Sequence, residues 1–201
     1  QYHNQVHWSA YALYSRSKTS WLQQLSVGSY YRLPTLNEMY WNPGGNAGVS
    51  AERSYGAKYS LEHEGKWTVR FTTDQLYYDQ MIQWAPGNDG NWTPQNYYSV
   101  YTSTTHLGVQ RKIWQQQHAF NTTHQYSRIL DVASNNANII GKQLIYRPAL
   151  QAVYTIEQGL PIGTLMLRGY YTGLRHTLRD NARTGELPAQ SWVDLAYSLS
   201  S

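Results

Sequence analysis

The chain has 201 residues, of which 14% are charged and 14% aromatic, with 19 Tyr and 8 Trp against 2 Phe and no Cys. The absence of Cys excludes a disulfide scaffold and thiol chemistry and argues against a zinc finger or an iron–sulfur site, without identifying the compartment. The formal net charge is +4 from scattered basic residues, which leaves no nucleic-acid footprint, and no apolar run approaches the roughly 18 residues of a membrane helix.

Read in chain order, the sequence repeats at a period of two and shows little at 3.6. Strand-like alternation falls near 2–15, 19–32, 53–64, 67–83, 96–110, 113–128, 143–157, 163–176 and 190–200. In the third segment Tyr55, Ala57, Tyr59 and Leu61 stand opposite Ser54, Lys58, Ser60 and Glu62. In the fourth, Trp67, Val69 and Phe71 alternate with Thr68, Arg70 and Thr72, and Asp74 continues the polar face. In the last, Val193, Leu195, Tyr197 and Leu199 alternate with Asp194, Ala196 and Ser198.

Many of these segments exceed the usual five or six residues of a soluble strand. Several reach the roughly 9–11 that cross a bilayer at a tilt. Short connections are expected at Arg16–Lys18, Glu64–Lys66, Gln110–Lys112 and Gln158–Ile162, and long ones at 33–52, 84–95, 129–142 and 177–189. Short turns at one end and long loops at the other are the layout of an outer-membrane barrel. The mean hydropathy of −0.63 is compatible, since only alternate side chains face lipid. The Tyr and Trp content suits such a barrel, because these rings favour boundaries between apolar and wet regions.

Motifs for chemistry are sparse. His3 and His7 in "HNQVH" have metal-ligand spacing on a helix, but on a strand they lie about 13 Å apart. Asp74 and Asp79 do not converge, and a polar lumen lining accounts for them. The sequence contains no nucleophile elbow, P-loop or dinucleotide fingerprint. No catalytic residue, metal site or cofactor is expected. In "QWAPGNDGNWTPQN", Trp84 and Trp92 bracket the turn-formers Pro86 to Gly90. The two indoles read either as interface and loop-packing residues or as a stacking surface for a bulky ligand.

"YRLPTLNEMYWNPGGNAGVSAERSYGAKYSLEH" resembles a segment of the TonB-dependent outer-membrane transporters, in which an aromatic-Arg-x-Pro-Thr-x-x-Glu run leads through a loop into the next barrel strand. Arg32, Pro34, Thr35, Asn37, Glu38, Gly45, Asn46 and Glu52 fall on that pattern. "YYDQMIQWAPGNDGNWTPQNYYSVYTSTTHLGVQ" is similar to the following hairpin in receptors of Bacteroidetes type. "GKQLIYRPALQAVYTI" and "LPAQSWVDLAYSL" resemble two later strands. The chain departs from the family at Ala47-Gly48-Val49, at Ala51 before Glu52 and at Val109-Gln110, which bears on loop geometry.

The resemblance implies an all-β fold, an antiparallel transmembrane barrel segment supplying about nine strands of a 22-stranded barrel. Residues 1–201 are expected to be the later part of that barrel, without the plug domain and the last two strands. It implies uptake of a bulky scarce nutrient such as cobalamin, haem or an iron–siderophore at the bacterial outer membrane. The implied partners are the rest of the barrel and the plug, the inner-membrane TonB energising complex acting through the plug, and outer-membrane lipid, with a surface lipoprotein as a candidate.

Within that frame, Trp41, Asn46, Trp84, Asn88, Asp89, Trp92 and Asn96 are the candidate ligand-binding residues of the extracellular loops. Arg32, Glu38 and Glu52 are expected at the rim, in a structural salt bridge or facing the plug. The rivals are a secreted carbohydrate-binding β-protein, which would not need its loops sorted by length, and a glycosidase. The latter needs paired carboxylates about 5–10 Å apart, for which the sequence offers no candidate.

Overall fold

The structure, a computed structural model, describes residues 9–86, 90–132 and 138–199. His3, His7, Asn88 and Asp89 lie outside the described residues. Nine strands form one antiparallel sheet in sequence order: β1 (Ala10–Lys18), β2 (Trp21–Arg32), β3 (Glu52–His63), β4 (Thr68–Pro86), β5 (Trp92–Ile113), β6 (Gln116–Asp131), β7 (Leu150–Leu160), β8 (Gly163–Thr172) and β11 (Gln190–Leu199). A small ribbon of β9 (Arg175–His176) and β10 (Glu186–Leu187) lies in the connection between β8 and β11. Among the described residues one short α-helix, α1 (Leu36–Tyr40), sits between β2 and β3. No helix among the described residues is long and apolar enough to cross a membrane.

Neighbouring strands pair along nearly their whole length, so register assigns every side chain to a face. Leu25 lies beside Tyr59, Tyr59 beside Thr73, Leu61 beside Phe71 and Phe71 beside Leu107. Continuing round, Val109 pairs with Phe120, Phe120 with Tyr154, Ile156 with Leu167 and Leu167 with Leu195. This face is predominantly apolar across the nine strands. The opposite face carries Lys58 beside Asp74, Glu62 beside Arg70 and Arg168 beside Asp194. Arg70, Asp74, Asp194 and Ser198 are thus on one face, and Val69, Phe71, Val193, Leu195 and Leu199 on the other.

Polar residues interrupt the apolar face, among them a cluster around Gln75. Gln75 donates to Thr73 Oγ1 at 2.9 Å and Ser103 Oγ at 2.8 Å and accepts from the Tyr101 hydroxyl, while Thr73 and Thr105 share a hydrogen bond of 3.2 Å. These groups satisfy one another, as a hydrocarbon surroundings would demand.

The connections sort by length. Thr19–Ser20, Glu64–Trp67, Trp114–Gln115 and Pro161–Ile162 close the short end. Thr19 and Trp114 take φ of 55° and 54°, the left-handed conformation that matches hairpin twist. Two short turns therefore lie further along the chain than composition suggests. Arg16–Lys18 and Gln110–Lys112 are strand, not turn: cations at a sheet rim reach solvent without leaving the ladder. The long end holds 33–51, 132–149 and 173–189.

The fourth expected long loop, 84–95, is corrected. Trp84 pairs with Pro94 and Pro86 with Trp92, so β4 and β5 run on as a hairpin well past their neighbours. β7 also begins later than its pattern implies, at Leu150, because Tyr146 adopts a φ of 58° and Pro148 has no N–H to offer a ladder.

Buried apolar residues gather at this long-loop end. Met81, Tyr97, Val100, Ile129, Val132, Ile139 and Leu144 form one cluster, with Val100 fully buried and Ile129 and Leu144 at 1% exposure. Full burial of one such side chain is worth about 1.5–3 kcal/mol. The cluster is a base that holds the loops together above the sheet.

Candidate functional site in the loop crown

The loop after β2 is held from its first residues. Thr35 caps α1 by accepting from the Glu38 N–H at 3.2 Å, while Glu38 accepts from the Thr35 N–H at 2.7 Å, the reciprocal pair of a capping box. Arg32, at the end of β2, donates to both oxygens of Glu38 at 3.1 and 3.0 Å and reaches Glu52 at 3.4 Å. Glu52 in turn accepts from the Ile82 N–H at 2.9 Å. Three strands and the helix are therefore joined through two carboxylates and one guanidinium. Burial alone would raise the Glu38 pKa, but the Thr35 N–H and the Arg32 guanidinium outweigh it and hold the carboxyl below its ordinary range.

Beyond α1 the loop lies along the projecting hairpin. Asn46 donates to the Pro94 carbonyl at 3.1 Å and accepts from the Gly48 N–H at 2.9 Å. Asn96 accepts from the Ser50 N–H at 2.8 Å and donates to the carbonyls of Ser50 at 3.1 Å and Gln80 at 2.7 Å. Gly44, at a φ of 119°, sits so close that a Cβ would fall 2.2 Å from the Trp92 carbonyl oxygen. From the other side, Arg179 donates to the Pro86 carbonyl at 2.6 Å and to Gln95 at 2.9 Å. Asn181 bonds both the N–H and the carbonyl of Gln143, at 2.7 and 3.1 Å. Three loops and the hairpin thus form one connected crown.

The candidate residues take distinct places in it. Asn46 and Asn96 spend their amides on backbone groups, so they fix the crown's shape. Trp84 is half-buried beside Gly44. Trp92 stays 41% exposed, with its ring 5.6 Å from that of Tyr146, itself 45% exposed, and Trp41 is 56% exposed. Trp92 and Tyr146 therefore present a tilted aromatic pair on a braced support, a surface suited to apolar ring faces.

Tyr146 and Arg179 do not stand out in the sequence. Tyr146 sits inside an alternating stretch, and the one signal that could have freed it is Pro148 two positions on. Arg179 acts across a long sequence separation that no local pattern marks.

No protein-family model matches the sequence. The chain is 27% identical over 198 residues, 94% of its length, to the vitamin B12 transporter BtuB of Photobacterium profundum, and spans 30% of that protein. A shorter stretch of 73 residues is 30% identical to the vitamin B12 transporter BtuB of Vibrio vulnificus, covering 35% of this chain and 12% of that one. Among solved structures, the copper transporter OprC matches with a TM-score of 0.73 at 12% identity, over 93% of this chain and 30% of its own. The ferric enterobactin receptor PfeA of Pseudomonas aeruginosa matches at 0.68 and 15% identity, over 94% and 32%. The ferric yersiniabactin uptake receptor FyuA of Yersinia pestis matches at 0.64 and 15%, over 94% and 29%. The fold is shared with these proteins, and the chain spans about a third of their length. The apolar face is accordingly the outward face of a barrel wall, the polar face lines the lumen, and the chain is similar to a segment of the β-barrel of TonB-dependent outer-membrane transporters.

Proposed function

We propose that the whole protein takes up a bulky scarce nutrient across the outer membrane, and that this segment supplies barrel wall and part of the extracellular binding surface. The observation that carries the reading is the crown: long loops braced on a buried apolar base, with Trp92 and Tyr146 held open at its surface. Ligand first meets these ring faces by stacking, which demands surface complementarity more than hydrogen-bond geometry. Cobalamin, haem and an iron–siderophore are the substrate candidates. Entry then requires movement of a plug in the lumen, driven by the TonB complex of the inner membrane, with a surface lipoprotein as a candidate lid. No covalent chemistry is involved.

A secreted carbohydrate-binding role would use the same rings. It does not account for a predominantly apolar face carried across all nine strands of the sheet.

The test is binding and uptake of the three candidate nutrients by the full-length protein in cells lacking their own transporters. Trp92→Ala should weaken binding of one of them about tenfold while barrel assembly, read by heat-modifiable gel mobility, stays intact; each stacked ring contributes on the order of 1 kcal/mol or more. Parental binding of all three by Trp92→Ala, or binding of none by the parent, would contradict the proposal.

A further inference from the structure

The short-turn end repeats a pairing of a cation with an indole that nutrient uptake leaves unused. Lys18 precedes Trp21 across the first turn, Lys66 precedes Trp67 in the second, and Arg111 and Lys112 precede Trp114 in the third. Register places Arg16 opposite Gln23 and Lys18 opposite Trp21, all on the lipid-facing side. A cavity of about 390 Å³ opens there, lined by Arg16, Lys18, Thr19, Trp21 and Gln23. The Trp21 ring is stacked on His63 at 4.3 Å and 27°, which fixes its orientation. Further round the same face, the Arg111 guanidinium lies 4.6 Å from the centre of the Trp67 ring.

Among the described residues Arg16, Lys18, Lys66 and Arg111 have no ion-pair partner. Glu62 is beside Arg70 on the lumen side. Glu64 lies in a turn, its N–H bonded to the Ser20 carbonyl at 2.9 Å. Among the described strand residues, register puts two carboxylates on the lipid-facing side, Asp79 and Asp131, and both lie at the long-loop end. The lower rim of the first three turns is therefore rich in cations and indoles, with Glu64 as the one acidic residue of those turns, at the depth where lipid headgroups sit.

We propose that the cavity between Arg16, Lys18 and Trp21 binds the phosphate of an anionic phospholipid of the periplasmic leaflet. The Arg16 fork matches two phosphate oxygens, Lys18 adds a point charge, and Trp21 lies against the glycerol and first acyl carbons. Trp alone would anchor the wall with no regard to lipid charge. Two unpaired cations beside it select a headgroup of net negative charge over a zwitterionic one. The inference rests on the sheet spanning the membrane with this face outward, and is independent of the nutrient carried.

The experiment is native mass spectrometry of the full-length protein, released from detergent after incubation with phosphatidylglycerol or phosphatidylcholine of identical acyl chains. Heat-modifiable mobility first establishes that each sample is a folded barrel, so loss of the membrane placement is read separately. The parent should retain phosphatidylglycerol several-fold better, and Arg16→Gln/Lys18→Gln should lower that retention about tenfold, to the phosphatidylcholine level. Lys142→Gln, at the opposite end, should leave it unchanged. Should the double variant fail to fold, Lys18→Gln alone carries the test, with about a threefold to fivefold loss expected. Equal retention of both lipids by the parent, or parental retention by the variants, would overturn the site. Binding of inorganic phosphate without preference between the lipids would overturn the lipid as its source.

Discussion

Asn96 treats Ser50 as a neighbouring strand would: its side-chain amide accepts from the Ser50 N–H at 2.8 Å and donates to the Ser50 carbonyl at 3.1 Å. A side chain thus continues the ladder where β3 has stopped, and the loop before β3 is bound to the hairpin that outruns it. Asn96→Ala removes these bonds and strands the Ser50 backbone groups, a loss of about 1 kcal/mol per bond. The expected outcome is faster proteolytic cleavage within 42–50 with an unchanged melting temperature of the barrel. Asn96→Asp keeps the acceptor and loses the donors, so it should fall between. A crown equally resistant in all three proteins would mean that the loop is held from elsewhere.

Glu38 makes the same loop sensitive to acid. Its carboxyl is held below the ordinary range in the folded crown, so the folded state favours the charged form. The stabilisation is present above the unfolded carboxylate pKa and is lost as the pH falls through the lower folded value. Hydrogen-exchange protection of 33–46, corrected for intrinsic exchange, should hold from neutral pH to about 5 and fall below the normal carboxylate range. Glu38→Gln should show weakened protection at neutral pH and little further change on acidification.

Gly44 tests how tightly loop and hairpin meet. Its φ of 119° disfavours any L side chain, and a Cβ would lie 2.2 Å from the Trp92 carbonyl oxygen. Backbone cannot yield as a flexible side chain does, so Gly44→Ala should displace the loop at a cost of about 1–3 kcal/mol. The measurement is the fluorescence and quencher access of the hairpin tryptophans, which should increase. Gly90 offers a contrast: it has a positive φ but nothing within 4 Å of an added Cβ, so Gly90→Ala should have the smaller effect.

The two faces of the wall differ in their tolerance of charge. Phe71→Arg places a guanidinium in lipid and should cost roughly 2–4 kcal/mol at mid-depth, whereas Thr72→Arg points into the lumen and should cost far less. Urea titration of barrel folding in lipid vesicles would give the difference, with Leu167→Arg against Met166→Arg as a second pair.

Much of the wall was legible in the sequence because alternation is a direct consequence of pleating. Tyr55 to Leu61 and Val193 to Leu199 can be assigned to a face from spacing alone. The loop boundaries were less legible, since composition marks a turn only where turn-formers are needed. Trp114 occupies a turn at a φ of 54°, and no propensity anticipates an indole there. The 84–95 region reads as a loop because Pro and Gly cluster in it, yet Pro86 and Pro94 are accommodated where β4 and β5 run beyond their other neighbours. In the crown, the rim trio of Arg32, Glu38 and Glu52 was visible as a set. The Trp92–Tyr146 pair was not, because it joins two connections far apart in the chain and depends on the way they fold over Ile129 and Leu144.

The central claim is that one face of this sheet meets lipid and the other an aqueous lumen. Single-cysteine labelling of the full-length protein in native outer membrane tests it most directly, comparing a lipid-soluble with a membrane-impermeant reagent at Phe71, Leu167 and Leu195 and at Thr72, Arg168 and Asp194. The account predicts that the first three react with the lipid-soluble reagent and the second three with the aqueous one. Equal aqueous labelling of both sets would contradict it.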